Sequence, residues 1–526
     1  VSRHRLIVAG LLGLFVVCGL ISLSGDSATF DETAHLGAGV SYLETGDFRL
    51  NPEHPPLAKI IAAAPLRMLG RGGGDYRSDS WTRPSVDEWS FGFELLNGPP
   101  EALPRRDPAD RLIPARLPML ALGALLCLVV YAWATERDGP TAGLVALGLA
   151  VTCPTILAHA RLVATDLPGA LGFVGTTWLF WRWSRQPSWP RAVAMAAALA
   201  AALLFKFNAI LLVPILLALA VAVVATRRAS ARRTIQAMAI TAVFAVAAIW
   251  AGYGFRYAGT AEPGRALEWS ALTSPPPAPV VFARGHRLLP EAYLFGLAYA
   301  SAESSGRTAF LDGEESNAGW YRYFPEAFLF KTPLAFLTLV AWAAGATAWR
   351  ARGRGFDGWC IALPPLVLAM AAIGSRFNIG HRHLAPIYPF LCVAAAPAGI
   401  WLEARGRRAL VIAALLLGCG VSFALSTPGY LSYFNVLAGG TRGGWRHLVD
   451  SNIDWGQDLG RLERWMDAHG VHEVDLAYFG TADPRAYGIT FRKVALFMDF
   501  YPQIPVTQPE PGRMLAASVT LLQGLY

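Results

Sequence analysis

Eleven apolar runs, with arginines gathered in alternate connections, constrain this chain more than any other feature of its sequence. The runs lie near 6–24, 114–134, 140–157, 167–183, 192–205, 208–225, 235–252, 332–349, 359–374, 384–402 and 409–425. Roughly 18 apolar residues in a helix are enough to cross a bilayer. Arg3 and Arg5 precede the first run, and Arg182, Arg185 and Arg191 join the fourth to the fifth. Arg227, Arg228, Arg232 and Arg233 follow the sixth. Arg350, Arg352 and Arg354 follow the eighth, and Arg405, Arg407 and Arg408 follow the tenth. Short basic loops in alternation follow the positive-inside rule. They predict a cytoplasmic N-terminus and put 25–110, 253–331 and 426–526 on the opposite side. The expected fold class is an α-helical multi-pass membrane protein. Charged residues make up 16% of the chain, against about 25% in soluble domains, which agrees.

The net charge of +8 resides largely in those loops. It reads as topology rather than a nucleic-acid footprint, so membrane lipids are expected partners and nucleic acid is not. The first run is longer than a usual signal core and reads as an anchor. Cys18, Cys127, Cys153, Cys360, Cys392 and Cys419 all fall inside apolar runs, so neither a disulfide framework nor a cysteine metal cluster is expected. Residues 1–425 read as one membrane unit with long outer loops at 25–110 and 253–331. Residues 426–526 read as a small α/β unit, with a charged helix at 456–469 and a strand from Val474 to Phe479. The chain stops at Gly524-Leu525-Tyr526 inside an apolar, strand-like run, which leaves open a natural terminus beyond it. Residues 31–45 and 57–69 carry helical spacing, and 70–110, rich in Gly, Pro and charge, read as a mobile loop.

The residues that invite chemistry gather in the outer loops. Asp31, Glu32 and His35 follow the first span, and Asp31 and His35 share a helix face four residues apart. Asp31 can serve as a general base or as half of a metal site, or simply cap a helix. Glu32 points elsewhere, which suits support. His54, set between Glu53 and Pro55, and Lys59 can each neutralise a phosphate; loop exposure and interfacial snorkelling are the bland alternatives. Asp166 reads as a second carboxylate with Arg161 as its ion partner, and a helix cap is its alternative. Lys206 sits in an apolar hairpin, where it can bind a lipid phosphate. Arg376, His381, Arg382 and His383 crowd another short outer loop. They break the positive-inside pattern, as cations with an anion to meet would.

Asp31-Glu32, then Glu53-His54-Pro55-Pro56-Leu57, then Thr165-Asp166, Lys206 and Arg382-His383-Leu384-Ala385-Pro386 together resemble a known family. It is the glycosyltransferase family 39 and aminoarabinose-transferase group of GT-C fold membrane enzymes. The resemblance covers roughly 5–425 and departs at two points. His54 stands where the family often has Lys, and Ala34 stands where the aminoarabinose enzymes have Arg. The resemblance implies transfer of a sugar from a polyprenyl phosphate to a glycan, lipid or protein acceptor outside the cytoplasm, at a bacterial plasma membrane. Asp31 and Asp166 would then be catalytic. Glu32, His35, His54, Lys59, Arg161, Lys206, Arg376, Arg382 and His383 would line the substrates. Asp31 as a single base implies inversion. The resemblance fixes no cofactor, and a divalent metal between Asp31 and Asp166 is left open. The rival classes are a multi-pass lipid or solute transporter, which calls for broken helices and mid-membrane charge, and a non-catalytic scaffold.

Overall fold

The computed structural model describes residues 2–83, 87–99, 106–303, 307–350, 355–404 and 406–525. Arg352, Arg354 and Arg405 of the basic loops lie outside the described residues, as does Tyr526.

The elements that position the site are α1 (Ser2–Gly25), α2 (Phe30–Thr45), α3 (Leu57–Met68), α4 (Ala109–Asp138) and α5 (Asp166–Arg185). Among the described residues, six helices are long and apolar enough to cross a membrane: Arg3–Gly25, Ala109–Asp138, Phe207–Ala225, Ala231–Gly252, Gly355–Ile373 and Arg407–Ser426. Two bent pairs raise the count to eight. The sequence count of eleven is therefore not confirmed, although every one of its runs is helical. The reason is physical. Pro154 breaks the 140–157 run, which bends by 63°, and Pro333 stands at the start of the 332–349 run, where the chain turns by 108° from the helix Tyr323–Lys331, because proline has no N–H to give and restricts the residue before it. Pro397 divides the run that holds Ile387–Ala395 and Ala398–Glu403. Trp189–Phe205 is apolar but short.

Burial sorts the helices. The first span is mostly unburied, with Leu6, Val17 and Ile21 among its exposed side chains, as a lipid-facing anchor should be. By contrast, α5 buries most of its residues and stands inside the bundle. It packs closely on Trp189–Phe205. A Cβ added at Gly172 would stand 2.6 Å from the Ala202 Cβ, so only glycine permits that approach.

The described residues of the expected mobile loop at 70–110 include a helix, which corrects the sequence reading; 84–86 and 100–105 lie outside the described residues. Glu88–Asn97 is a helix, capped by Asp87, whose carboxylate accepts from the Trp89 and Ser90 N–H groups at 3.2 and 3.1 Å. Gly92 brings it against α2, where any Cβ would meet the Thr33 carbonyl oxygen at 2.2 Å.

The C-terminal segment has the expected helix, Leu459–His469, and the expected strand, Val474–Tyr478. That strand is fully buried and lies between Phe491–Leu496 and Leu515–Ala517, parallel to both. Its core is shared: Leu459, Met466, Val474 and Leu476 join Leu36 and Val40 of α2 and Ala62 and Leu66 of α3 in one buried cluster.

Candidate active site

The first turn of α2 separates Asp31 from Glu32. Thr29 is the cap residue, and Glu32 closes on it, accepting from the Thr29 N–H at 2.9 Å. The capping role thus falls to Thr29 and Glu32 and leaves the Asp31 carboxylate outside it. Glu32 is completely buried and also takes the Arg116 guanidinium through both oxygens, at 2.8 and 2.6 Å, and the Val163 N–H at 2.9 Å. Burial pushes its carboxyl up, but Arg116 outweighs that and holds it below the usual range. Glu32 therefore ties α2 to α4 and to the connection before α5.

Arg382 meets Asp31 from the far end of the chain. Its Nη1 donates to Asp31 Oδ2 at 2.5 Å and lies 3.8 Å from Asp166 Oδ2. The Arg382 Cζ stands 4.2 Å over the Trp455 ring, and its Nε is buried without a partner. Burial opposes its charge, but the two aspartates outweigh burial and raise its already high pKa further. Asp166 is the first residue of α5, after Thr165 in the cap position. Its Oδ1 accepts from Lys206 Nζ at 2.5 Å. Lys206 is able to reach it because it leaves its helix in extended conformation, with Gly169 beneath its Cβ.

The expected Arg161–Asp166 pair does not form. Arg161 instead pairs with the buried Asp26, which also takes Arg461 at 2.7 Å. This corrects the sequence reading, and the cause is position: Arg161 caps the short helix Pro154–Ala160 while Asp166 opens the next one.

Several histidines surround the carboxylates. His35 Nδ1 bonds the Val163 carbonyl at 2.8 Å, and its ring lies 5.4 Å from that of His54. His54 Nδ1 and His383 Nε2 are buried without partners, as is Nδ1 of His159. Burial, with Lys206 next in order, pulls His54 well below its usual pKa and His383 down to about 3. These rings are neutral, so each offers one N–H rather than a positive charge. Lys59 is 1% exposed and does not snorkel. Its Nζ donates to the carbonyls of Asn51 and His54, both at 2.7 Å, and to the Tyr42 hydroxyl at 3.0 Å. It pins the loop that presents His54. Arg376 is exposed and stays outside the cluster; its neighbour Asn378 is the buried one, accepting from the Trp320 N–H at 2.6 Å.

Sequence reasoning missed four contributors. Trp455 lies just before the charged helix of the C-terminal unit, and nothing local ties it to Arg382. His159 sits at the end of a helix that reads as apolar. Glu53 and Glu88 form a half-buried carboxyl pair, each pushed up by desolvation first and then by a neighbouring acid, Asp31 for Glu53 and Glu53 for Glu88. Glu88 lines a cavity of about 330 Å³ with Arg49, Trp89, Phe295 and Tyr299. Between the two aspartates stands the Arg382 guanidinium. Among the described residues no group of three His, Cys, Asp or Glu side chains could hold a metal ion.

Residues 109–251 match a family profile described as dolichyl-phosphate-mannose-protein mannosyltransferase. That stretch contains Asp166 and Lys206. No curated protein matches the chain in sequence. Among solved structures, ArnT from Cupriavidus metallidurans bound to undecaprenyl phosphate superposes with a TM-score of 0.51 at 15% identity, covering 89% of this chain and 73% of that one. Apo ArnT from the same organism gives 0.51 at 16%, with the same coverage. The archaeal oligosaccharyltransferase AglB from Archaeoglobus fulgidus, in complex with an inhibitory peptide and a dolichol-phosphate, gives 0.46 at 13%, covering 80% and 55%. The likeness to ArnT is one of fold.

Proposed function

We propose that this chain, whose GT-C fold and family match support a membrane glycosyltransferase with a lipid-linked donor, transfers a sugar from a polyprenyl phosphate, with Asp31 as the general base. The arginine pattern of the loops supports an active site on the extracytoplasmic face of the membrane.

The observation that carries this reading is Arg382 bonded to Asp31, within 3.8 Å of Asp166 and beside the Lys206–Asp166 pair. The donor phosphate would sit against Lys206 and Arg382, whose unpartnered Nε is a donor to spare. When phosphate draws Arg382 toward itself, Asp31 gives up its ion partner and can take a proton. Asp31 removes the acceptor hydroxyl proton as that oxygen attacks the anomeric carbon. The bond from that carbon to the phosphate oxygen breaks, and its electron pair leaves with the polyprenyl phosphate. Cations fixed where this charge develops lower the barrier, by about 3 kcal/mol for one well-placed donor. Attack from the face opposite the phosphate inverts the anomeric centre, through an oxocarbenium-like transition state as in hydrolases. Neutral His54 and His383 offer hydrogen bonds to the sugar or phosphate without competing for charge.

The test is donor consumption by the protein in lipid vesicles, using a panel of polyprenyl-phosphate sugars with crude envelope glycolipids and peptides as acceptors. One donor consumed in an acceptor-dependent way is the expected result. No consumption and no binding of any donor would overturn it.

A further inference from the structure

The segment from Asp450 to Gln457 lies far along the chain from both Asp31 and Arg382, yet it touches the backbone that carries each. Toward α2, the Phe30 N–H donates to the Trp455 carbonyl at 2.8 Å and the Ser27 N–H to the Gln457 carbonyl at 3.0 Å. The Ser27 hydroxyl donates to the Gly456 carbonyl at 2.7 Å. Toward the turn that bears Arg382, the His381 N–H donates to Asn452 Oδ1 at 2.7 Å and the Ser451 hydroxyl to the Ile379 carbonyl at 2.9 Å. The Trp455 indole then lies 4.2 Å beneath the Arg382 guanidinium.

The segment is itself braced. Asp450 adopts φ 57°, a left-handed conformation that costs a non-glycine residue energy and persists only where neighbours enforce it. Its N–H is held by the Thr520 hydroxyl at 3.0 Å, and the Ser451 N–H folds back on its carboxylate at 2.5 Å. Asn452 donates to the Tyr323 hydroxyl at 3.0 Å, while its carbonyl accepts from Lys331 at 2.5 Å. Gln457 accepts from the Trp455 N–H at 2.7 Å and donates to the Ile453 carbonyl at 3.0 Å. Trp455 is 1% exposed. These side chains are committed to holding the segment in one shape. Thr481 continues the contact, bonding the Phe30 carbonyl at 3.1 Å.

We infer that Asp450–Gln457 is a staple that fixes the separation of Asp31 and Arg382, with Trp455 the positioning residue for the Arg382 guanidinium. One face of the staple holds the N-terminus of α2 and the other holds the 379–384 turn. A flat indole constrains a guanidinium sideways while leaving its in-plane N–H groups free for carboxylate or phosphate. The catalytic consequence rests on the glycosyl-transfer reading; the mechanical one does not.

The test uses the full chain in lipid vesicles, with Trp455→Leu, Trp455→Phe and Asn452→Ala. Trp455→Leu should lose about 10²-fold in kcat, the scale of a slight misplacement of reacting groups, with donor KM little changed. Trp455→Phe, which keeps an aromatic face, should restore most of it. Hydrogen exchange supplies a readout independent of turnover. Asn452→Ala should speed exchange in both 27–34 and 379–385 while 474–478 stays protected. Folded Trp455→Leu with wild-type kcat, or exchange quickened in 450–457 alone, would overturn the staple. If wild type consumes no donor at all, the transferase reading fails, and the exchange result still decides the staple.

Discussion

Arg382 Nη1 closes on Asp31 Oδ2 at 2.5 Å, joining the first outer loop to the short outer loop that precedes the tenth apolar run. That ion pair puts the proposed base and the proposed phosphate-binding cation in direct contact, with Asp166 on the same guanidinium nitrogen at 3.8 Å. Two acids sharing one arginine, with Lys206 behind the second, leave the site poised to exchange a carboxylate for a phosphate.

Arg382 should not be replaceable by Lys. An ammonium is a point charge and lacks the fork that reaches Asp31 while presenting Nε elsewhere. Arg382→Gln should lower kcat by about 10²–10³-fold, the scale seen on removing one donor to a developing charge. Arg382→Lys should recover only part of that. Steady-state kinetics with the identified donor checks both.

Lys206→Met should destabilise the fold as well as stop turnover. It leaves a buried Asp166 carboxylate with only the more distant Arg382, and breaking a buried pair costs about 3–5 kcal/mol. Adding Asp166→Asn should restore stability without restoring activity. Thermal unfolding in detergent, set beside donor turnover, separates the two effects.

Arg116→Met should act on stability first. It strips the completely buried Glu32 of its ion partner, again at about 3–5 kcal/mol. Pairing it with Glu32→Gln should recover much of the loss, because the uncompensated charge is gone. The comparison of unfolding midpoints is the check.

Lys59 gives a pH dependence with a definite sign. Burial draws its amine from 10.5 down to about 7, partly offset by Glu88 and Glu53. Between pH 7 and 10.5 the unfolded chain therefore binds the extra proton, so stability rises with pH across that window. Equivalently, it is lost progressively as pH falls from 10.5 to about 7. The slope from this group is at most about 1.4 kcal/mol per pH unit. Lys59→Met should remove that component when unfolding is measured from pH 7 to 9.5.

Much of this was legible in the sequence because its causes are local. Apolar runs become helices wherever a bilayer must satisfy their backbone, and the Asp31, Asp166, Lys206 and Arg382 positions stood out as charges in apolar surroundings. What was not legible depends on which end of a helix faces which neighbour. Arg161 lies five residues from Asp166, yet the helix break turns it to Asp26. Trp455 reaches Arg382 through tertiary packing alone. Pro154 and Pro333 were visible, but not how far each would turn the chain. Broken helices were also a feature asked of a transporter. The buried charges nevertheless gather at helix ends and loops around Asp31, as a surface reaction requires.

The most direct test of the central claim is donor consumption by wild type and by Asp31→Asn, in vesicles with the acceptor present. The account predicts that Asp31→Asn loses about 10²–10⁴-fold in kcat, the worth of general-base help, while still binding the polyprenyl-phosphate sugar. Wild-type kcat in a correctly folded Asp31→Asn would contradict it.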